Sequence, residues 1–189
     1  MRALIAWLPC LIIASAEARI GETSIQFADR YGRPVDSQLT KITDSQFPLI
    51  EGAVHHTYEY KGWKIRAAFL QLDRPAVRVD YQKLSASGVS PVIQEYELQA
   101  IANANTPEGM SWRPTAYDNP NSPSKGFSKL AEGMFASATG QKMWQRSDGA
   151  VLWLQSNLVV RLELPAARQY EQQLKAAKEQ KARAAVPQF

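Results

Sequence analysis

Cysteine is almost missing from this chain: the one copy, Cys10, lies inside an apolar N-terminal run. Downstream of that run there is no thiol, so disulfides, zinc-thiolate sites and cysteine nucleophiles are excluded there. Histidine is nearly as scarce, with His55 and His56 side by side and no third. Adjacent residues in an extended run point to opposite faces, so the two are poorly placed to share a metal, and no metal site is expected. There is no Gly-rich phosphate loop and no Gly-x-Ser-x-Gly elbow, and no cofactor is expected. A Ser-His-Asp triad needs only one histidine and stays open. Long apolar runs are also missing after the first, so no transmembrane segment is expected.

The N-terminal run reads as a secretory signal over residues 1–18. Met1-Arg2 is the positive start, Ala3 to Ala14 is apolar almost throughout, and Ala16-Glu17-Ala18 is a small-x-small cleavage site. About 12 apolar residues are too few for a spanning helix, which needs roughly 20. Cleavage leaves 189 − 18 = 171 residues, enough for one domain or two small fused repeats. The expected location is periplasmic or secreted.

The net charge is +4, but residues 165–189 hold five bases and two acids, a net +3. The remaining body is near neutral, so the basic pI of 9.2 reflects mostly a tail, and no nucleic-acid partner is expected.

Local patterns then divide the chain. Thr23 and Gln26 fit a capping box opening a helix that carries Ile25, Ala28 and Tyr31; Gly32 and Pro34 stop it. Three strand-like runs follow: Val54 to Tyr60, Trp63 to Phe69 after a Lys61-Gly62 turn, and Ala76 to Gln82. In the last, Val77, Val79 and Tyr81 alternate with Arg78, Asp80 and Gln82, which predicts one buried and one wet face. Ser90 and Pro91 open a second helix with Leu98, Ile101 and Ala102 on one face, ending near Asn105. Residues 112–126 are Pro- and Asn-rich and read as a long loop, and Phe127 to Phe135 as a short helix.

The strand pattern then returns at Lys142 to Ser147, Ala150 to Gln155 and Leu158 to Leu164, with Asp148-Gly149 and Ser156-Asn157 as turns. Ala76-Val77-Arg78-Val79-Asp80-Tyr81 parallels Val159-Val160-Arg161-Leu162-Glu163-Leu164, 83 residues later. The expected fold is α+β: two tandem helix-plus-three-stranded antiparallel meander units, 19–88 and 89–164, then a helical tail over 165–189. The tail's apolar stripe is thin, mainly Tyr170 and Leu174, which predicts a solvated helix dispensable for folding.

Gly21-Glu22-Thr23, a helix, then Tyr31-Gly32-Arg33-Pro34 resembles the Gly-x-Thr … Gly-x-Pro opening of the small periplasmic lipoproteins of the SmpA/OmlA (BamE) group. The repeated helix-then-meander unit also resembles the β-lactamase inhibitor protein family. The resemblance implies an exported, non-enzymatic protein working through contacts with another envelope or extracellular protein.

Aromatics are the richer functional signal. Tyr58, Tyr60, Trp112 and Tyr117 are either core or binding surface, whereas Trp63, sharing a face with Ile65, reads as core. Interleaved with Lys64, Arg66, Arg78 and Arg161 on an exposed sheet face, they would make a protein-binding surface. Carboxylate pairs for acid–base chemistry could be assembled from Asp73, Asp80, Asp148 and Glu163, but three of those lie in turns or on outward strand positions, where solvated charge is the default reading. Two function classes stand: a binding module engaging a partner through a sheet face, or a small exported hydrolase or carbohydrate-binding protein whose loop aromatics stack on sugar.

Overall fold

The computed structural model describes residues 19–39, 49–85, 91–114, 128–130, 134–136 and 142–185. The signal segment, Ser90 and Tyr117 lie outside the described residues. The chain is α+β. Its elements run α1 (Ser24–Tyr31), β1 (Asp36–Leu39), β2 (Val54–Tyr60), β3 (Trp63–Phe69), β4 (Arg78–Lys83), α2 (Glu95–Ala104), β5 (Trp112–Pro114), β6 (Ser128–Leu130), β7 (Met134–Ala136), β8 (Lys142–Arg146), β9 (Val151–Gln155), β10 (Val159–Glu163) and α3 (Pro165–Ala184).

The strands form one antiparallel sheet in the order β1-β2-β3-β4-β10-β9-β8-β7-β6, with β5 pairing β8. Lys61 and Gly62, then Ser156 and Asn157, have positive φ, the backbone that tight hairpin turns require. Residues 128–130 and 134–136 are paired strands, not the short helix expected there, and Trp112–Pro114 joins the sheet beside β8 where a loop was expected.

α1 opens on the Thr23/Gln26 capping box and stops at Gly32, φ 84°. Its buried residue is Phe27, not Ile25, which is 71% exposed. Phe27 and Tyr31, one turn apart, carry the helix onto the sheet at Tyr58 and Phe69. α2 starts at Glu95, later than Pro91, because the Glu97 carboxylate accepts the Gln94 N–H at 2.8 Å and Ile93 N–H is first tied to the Asn157 carbonyl. Leu98 and Ile101 bury its inner face. Together α1 and α2 cover the sheet face that presents Ile65, Tyr81, Leu154, Val160 and Leu162, giving the main core.

The opposite face is not wet where β4 meets β10. The first turns of α3 dock there: Ala167 is fully buried with Ile50, Ala53, Ala68 and Val77, and Tyr170 packs beside them. Val77 therefore belongs to this second cluster and not with Val79, because β4 begins only at Arg78. The tail helix is a structural element in its first half, and its small apolar stripe suffices because Ala167 sits directly on the sheet. We expect removal of residues 165–189 to cost about 2–4 kcal/mol of stability. Truncation after Glu179, where residues 180–185 are exposed, should change it by no more than ~0.5 kcal/mol. Urea unfolding of both truncations checks this.

Candidate functional site

Alternation in β4 and β10 does place Arg78, Asp80, Arg161 and Glu163 on one face, but they are buried, and the expected exposed basic-acidic ladders do not exist. Arg161 is 3% and Glu163 2% exposed. The Arg161 Nε and Nη2 donate to the two Asp80 carboxylate oxygens at 2.6 and 2.7 Å. Arg78 Nε donates to Glu163 at 2.7 Å, and its Nη2 donates to Glu171 on α3 at 2.8 Å. Burial alone would lower the Arg161 guanidinium, but the Asp80 charge and hydrogen bonds outweigh it and hold it above its ordinary range. The physical reason for the correction is that charged side chains opposite one another across adjacent strands satisfy each other and accept a cover. Arg78 and Arg161 are thus parts of the second core, not of an accessible binding face.

The other expected binding residues separate. Tyr58 is fully buried against Phe27, and burial pushes its hydroxyl up to about 12. Lys64 and Arg66 are half-buried on the α3 side of the sheet. Trp112 is half-buried near the end of α2, its indole N–H donating to the Ala102 carbonyl and Thr106 hydroxyl, with Arg146 packed 5.3 Å from its ring. Among the described ones, Lys64 and Arg66 border a small crevice beside Asp80 and Gln82, and Tyr60 reaches a larger cavity.

That cavity is a cleft of about 410 Å³ between α1, α2 and the sheet. Tyr60, Trp63 and Tyr96 form its aromatic walls, and Tyr31, Tyr81 and Asn105 its polar floor. Trp63, expected to be core, does pack against the core but is half-buried and faces this space. Tyr96, on the outer side of α2, is 72% exposed. The floor is rigidly held. Asn105 accepts from Ile20 N–H at 2.7 Å, donates to the Ile101 carbonyl at 2.8 Å and to the Tyr81 hydroxyl at 3.3 Å, while its own carbonyl accepts from Arg146. The Tyr31 and Tyr81 hydroxyls share a hydrogen bond, and burial raises both phenols well above their ordinary range, so they stay un-ionised. Glu97 is paired with Lys83 at 2.8 Å; burial would raise it, but the Gln94 N–H and Lys83 hold its carboxyl below the usual value.

Both histidines serve structure, on opposite faces. His55 Nε2 accepts the Ile50 N–H at 3.2 Å. His56 Nδ1 lies 3.2 Å from the Tyr58 hydroxyl, and its ring packs on Phe69. Burial, with the charges of Arg66 and Arg78, lowers His55 from 6.5 to about 4. The unfolded chain therefore binds that proton more tightly. The contribution of His55 to stability is complete above pH 6.5 and is lost as pH falls toward 4, a loss of up to ~3 kcal/mol. The pH dependence of the urea midpoint should be flatter in His55→Gln than in the unaltered protein across that window.

No protein-family model and no curated protein matches the chain. Among solved structures it is similar to a cysteine-rich secretory protein from Staphylococcus aureus subsp. aureus Mu50, at 12% identity and a TM-score of 0.32. That likeness covers 78% of this chain and 45% of the other, so the chain spans less than half of that protein's length. At that TM-score it fixes neither fold nor function.

Proposed function

We propose that this chain is an exported, non-enzymatic binding module, and that the aromatic cleft, not the Arg-bearing sheet face, is where it holds its partner. The observation that carries this reading is the cleft itself: aromatic walls that remain accessible above a floor already organised by hydrogen bonds. Its volume lies within the range of about 300–1,000 Å³ common to ligand pockets. The structural use of both histidine side chains supports the non-enzymatic reading. The apolar run and cleavage pattern of residues 1–18 support export, and the SmpA/OmlA- and inhibitor-like pattern points to the same compartment.

The tandem origin of the two meander units belongs to the same proposal. Residues 83 apart in sequence exchange places across the β4–β10 pairing. Asp80 faces Arg161, Arg78 faces Glu163, and Val79 faces Leu162 at the centre. Each ion pair is thus the image of the other under a swap of the halves, as expected for two copies of one unit joined about a local dyad.

The test is capture from the protein's own envelope fraction by the immobilised mature chain. Trp63→Ala and Tyr96→Ala should each reduce the captured material about tenfold, while Trp153→Ala, on the opposite face, should not. Equal capture by all three would place the binding surface elsewhere.

A further inference from the structure

We propose that the occupant of the cleft is an uncharged saccharide, its ring stacked on the aromatic wall and a hydroxyl on the Tyr31 phenol, the outer end of the Tyr31–Tyr81–Asn105 chain; this rests on the cleft being the binding site. Three features of the site select that chemistry together.

The first is charge. The carboxylate that lines the cleft, Glu97, is matched by Lys83, and Arg30 nearby is matched by Glu22 at 2.5 Å. Tyr31 and Tyr81 are held as neutral phenols. An anionic or cationic ligand would leave water for a site whose charges are already balanced and would gain no partner for its own.

The second is the floor. Its groups are hydroxyls and a carboxamide in one connected chain. Asn105 and Tyr81 are buried and the Asn105 carboxamide is used up inside the protein, so the chain meets a ligand at the half-buried Tyr31 hydroxyl. A saccharide hydroxyl, which donates and accepts at once, extends the chain there without breaking it. An acyl chain or a purely apolar side chain laid over the Tyr31 hydroxyl would cover it without offering a hydrogen bond, an unfavourable exchange for a polar group.

The third is the wall. Trp63 and Tyr60 come from facing positions of β2 and β3, with Tyr31 edge-on to Tyr60 at 5.2 Å between ring centroids. Tyr96 projects from α2 at the mouth. Flat aromatic faces beside a polar floor match a pyranose, which has an apolar C–H face and a polar rim. Ala100 and Ala104 on α2 leave room between wall and helix.

Titration of the mature protein with a panel of neutral oligosaccharides built on glucose, N-acetylglucosamine, galactose and mannose, followed by tryptophan emission, tests this. N-phenyl-1-naphthylamine serves as an uncharged apolar probe and gluconate as an acidic one. The expected result is saturable binding of at least one neutral oligosaccharide, insensitive to salt. Trp63→Ala should weaken it about tenfold or more, and so should Tyr31→Phe, which removes only a hydroxyl. Tyr96→Ala, at an exposed position, repeats the test without disturbing the core and should also weaken binding. If no saccharide binds at millimolar concentration while the naphthylamine does, and Trp63→Ala abolishes that, the cleft is a site but not for sugar. Binding of gluconate alone, lost in salt, would overturn the neutrality argument. If no probe binds at all, the saccharide assignment and the cleft reading fail together.

Discussion

Arg161→Ala is expected to lower the unfolding free energy by about 3–5 kcal/mol, roughly 6–20 °C in Tm. Its guanidinium makes two hydrogen bonds to Asp80 across the β4–β10 pairing and lies 5.9 Å from the Trp153 ring. Truncation leaves the Asp80 carboxylate buried without that partner. The cost is that of stranding a charge, and it exceeds the worth of the intact pair, because two charges must first be taken out of water to make it. The double variant Arg161→Met/Asp80→Leu should therefore recover most of the loss, since neither charge is then left behind. Arg78→Ala should be milder: Glu163 keeps Arg168 at 3.6 Å. Urea unfolding of the three variants checks the order. An Arg161→Ala protein as stable as the original would mean that this face is open to solvent, which would restore it as a binding surface.

Phe27→Ala is expected to cost a similar amount, about 3–5 kcal/mol. The ring is fully buried, with centroids 5.8 Å from Tyr31, 5.8 Å from Tyr58 and 5.7 Å from Phe69. It is the contact that seats α1 on the sheet, and Tyr31 on the same helix reaches the cleft floor. The variant should therefore weaken binding in the cleft as well as stability. Ile25→Ala, two residues away and exposed, should change stability by no more than ~0.5 kcal/mol. Thermal unfolding of the pair distinguishes the helix face seen here from one centred on Ile25 and Ala28.

Much of the frame was legible from residues close together in the chain. The Thr23/Gln26 cap, the Lys61-Gly62 and Ser156-Asn157 turns and the strand runs on either side of them are local chemistry, and the opposed histidines follow from pleating alone. Alternation in Val79 to Gln82 distinguished two faces of β4 but not which was wet. Arg and Asp on a strand look the same whether solvated or paired across to an acid 85 residues away and a base 81 residues away. The cover supplied by α3 was hidden for a related reason: it rests on alanine and on ion pairs, which leave almost no apolar stripe. Short strands such as Trp112–Pro114 exist only because β8 offers them an edge. The cleft was the least legible feature. Its floor joins Tyr31, Tyr81 and Asn105 from α1, β4 and the end of α2, and no sequence window contains more than one of them.

Photo-crosslinking in the producing cells tests the central claim most directly. A benzophenone amino acid at position 96, beside the cleft, inserts into C–H bonds of protein and saccharide alike. The account predicts an adduct from position 96 that disappears when Trp63→Ala is added, and none from the same probe at position 153 on the opposite face. An adduct from position 153 and none from position 96 would contradict it.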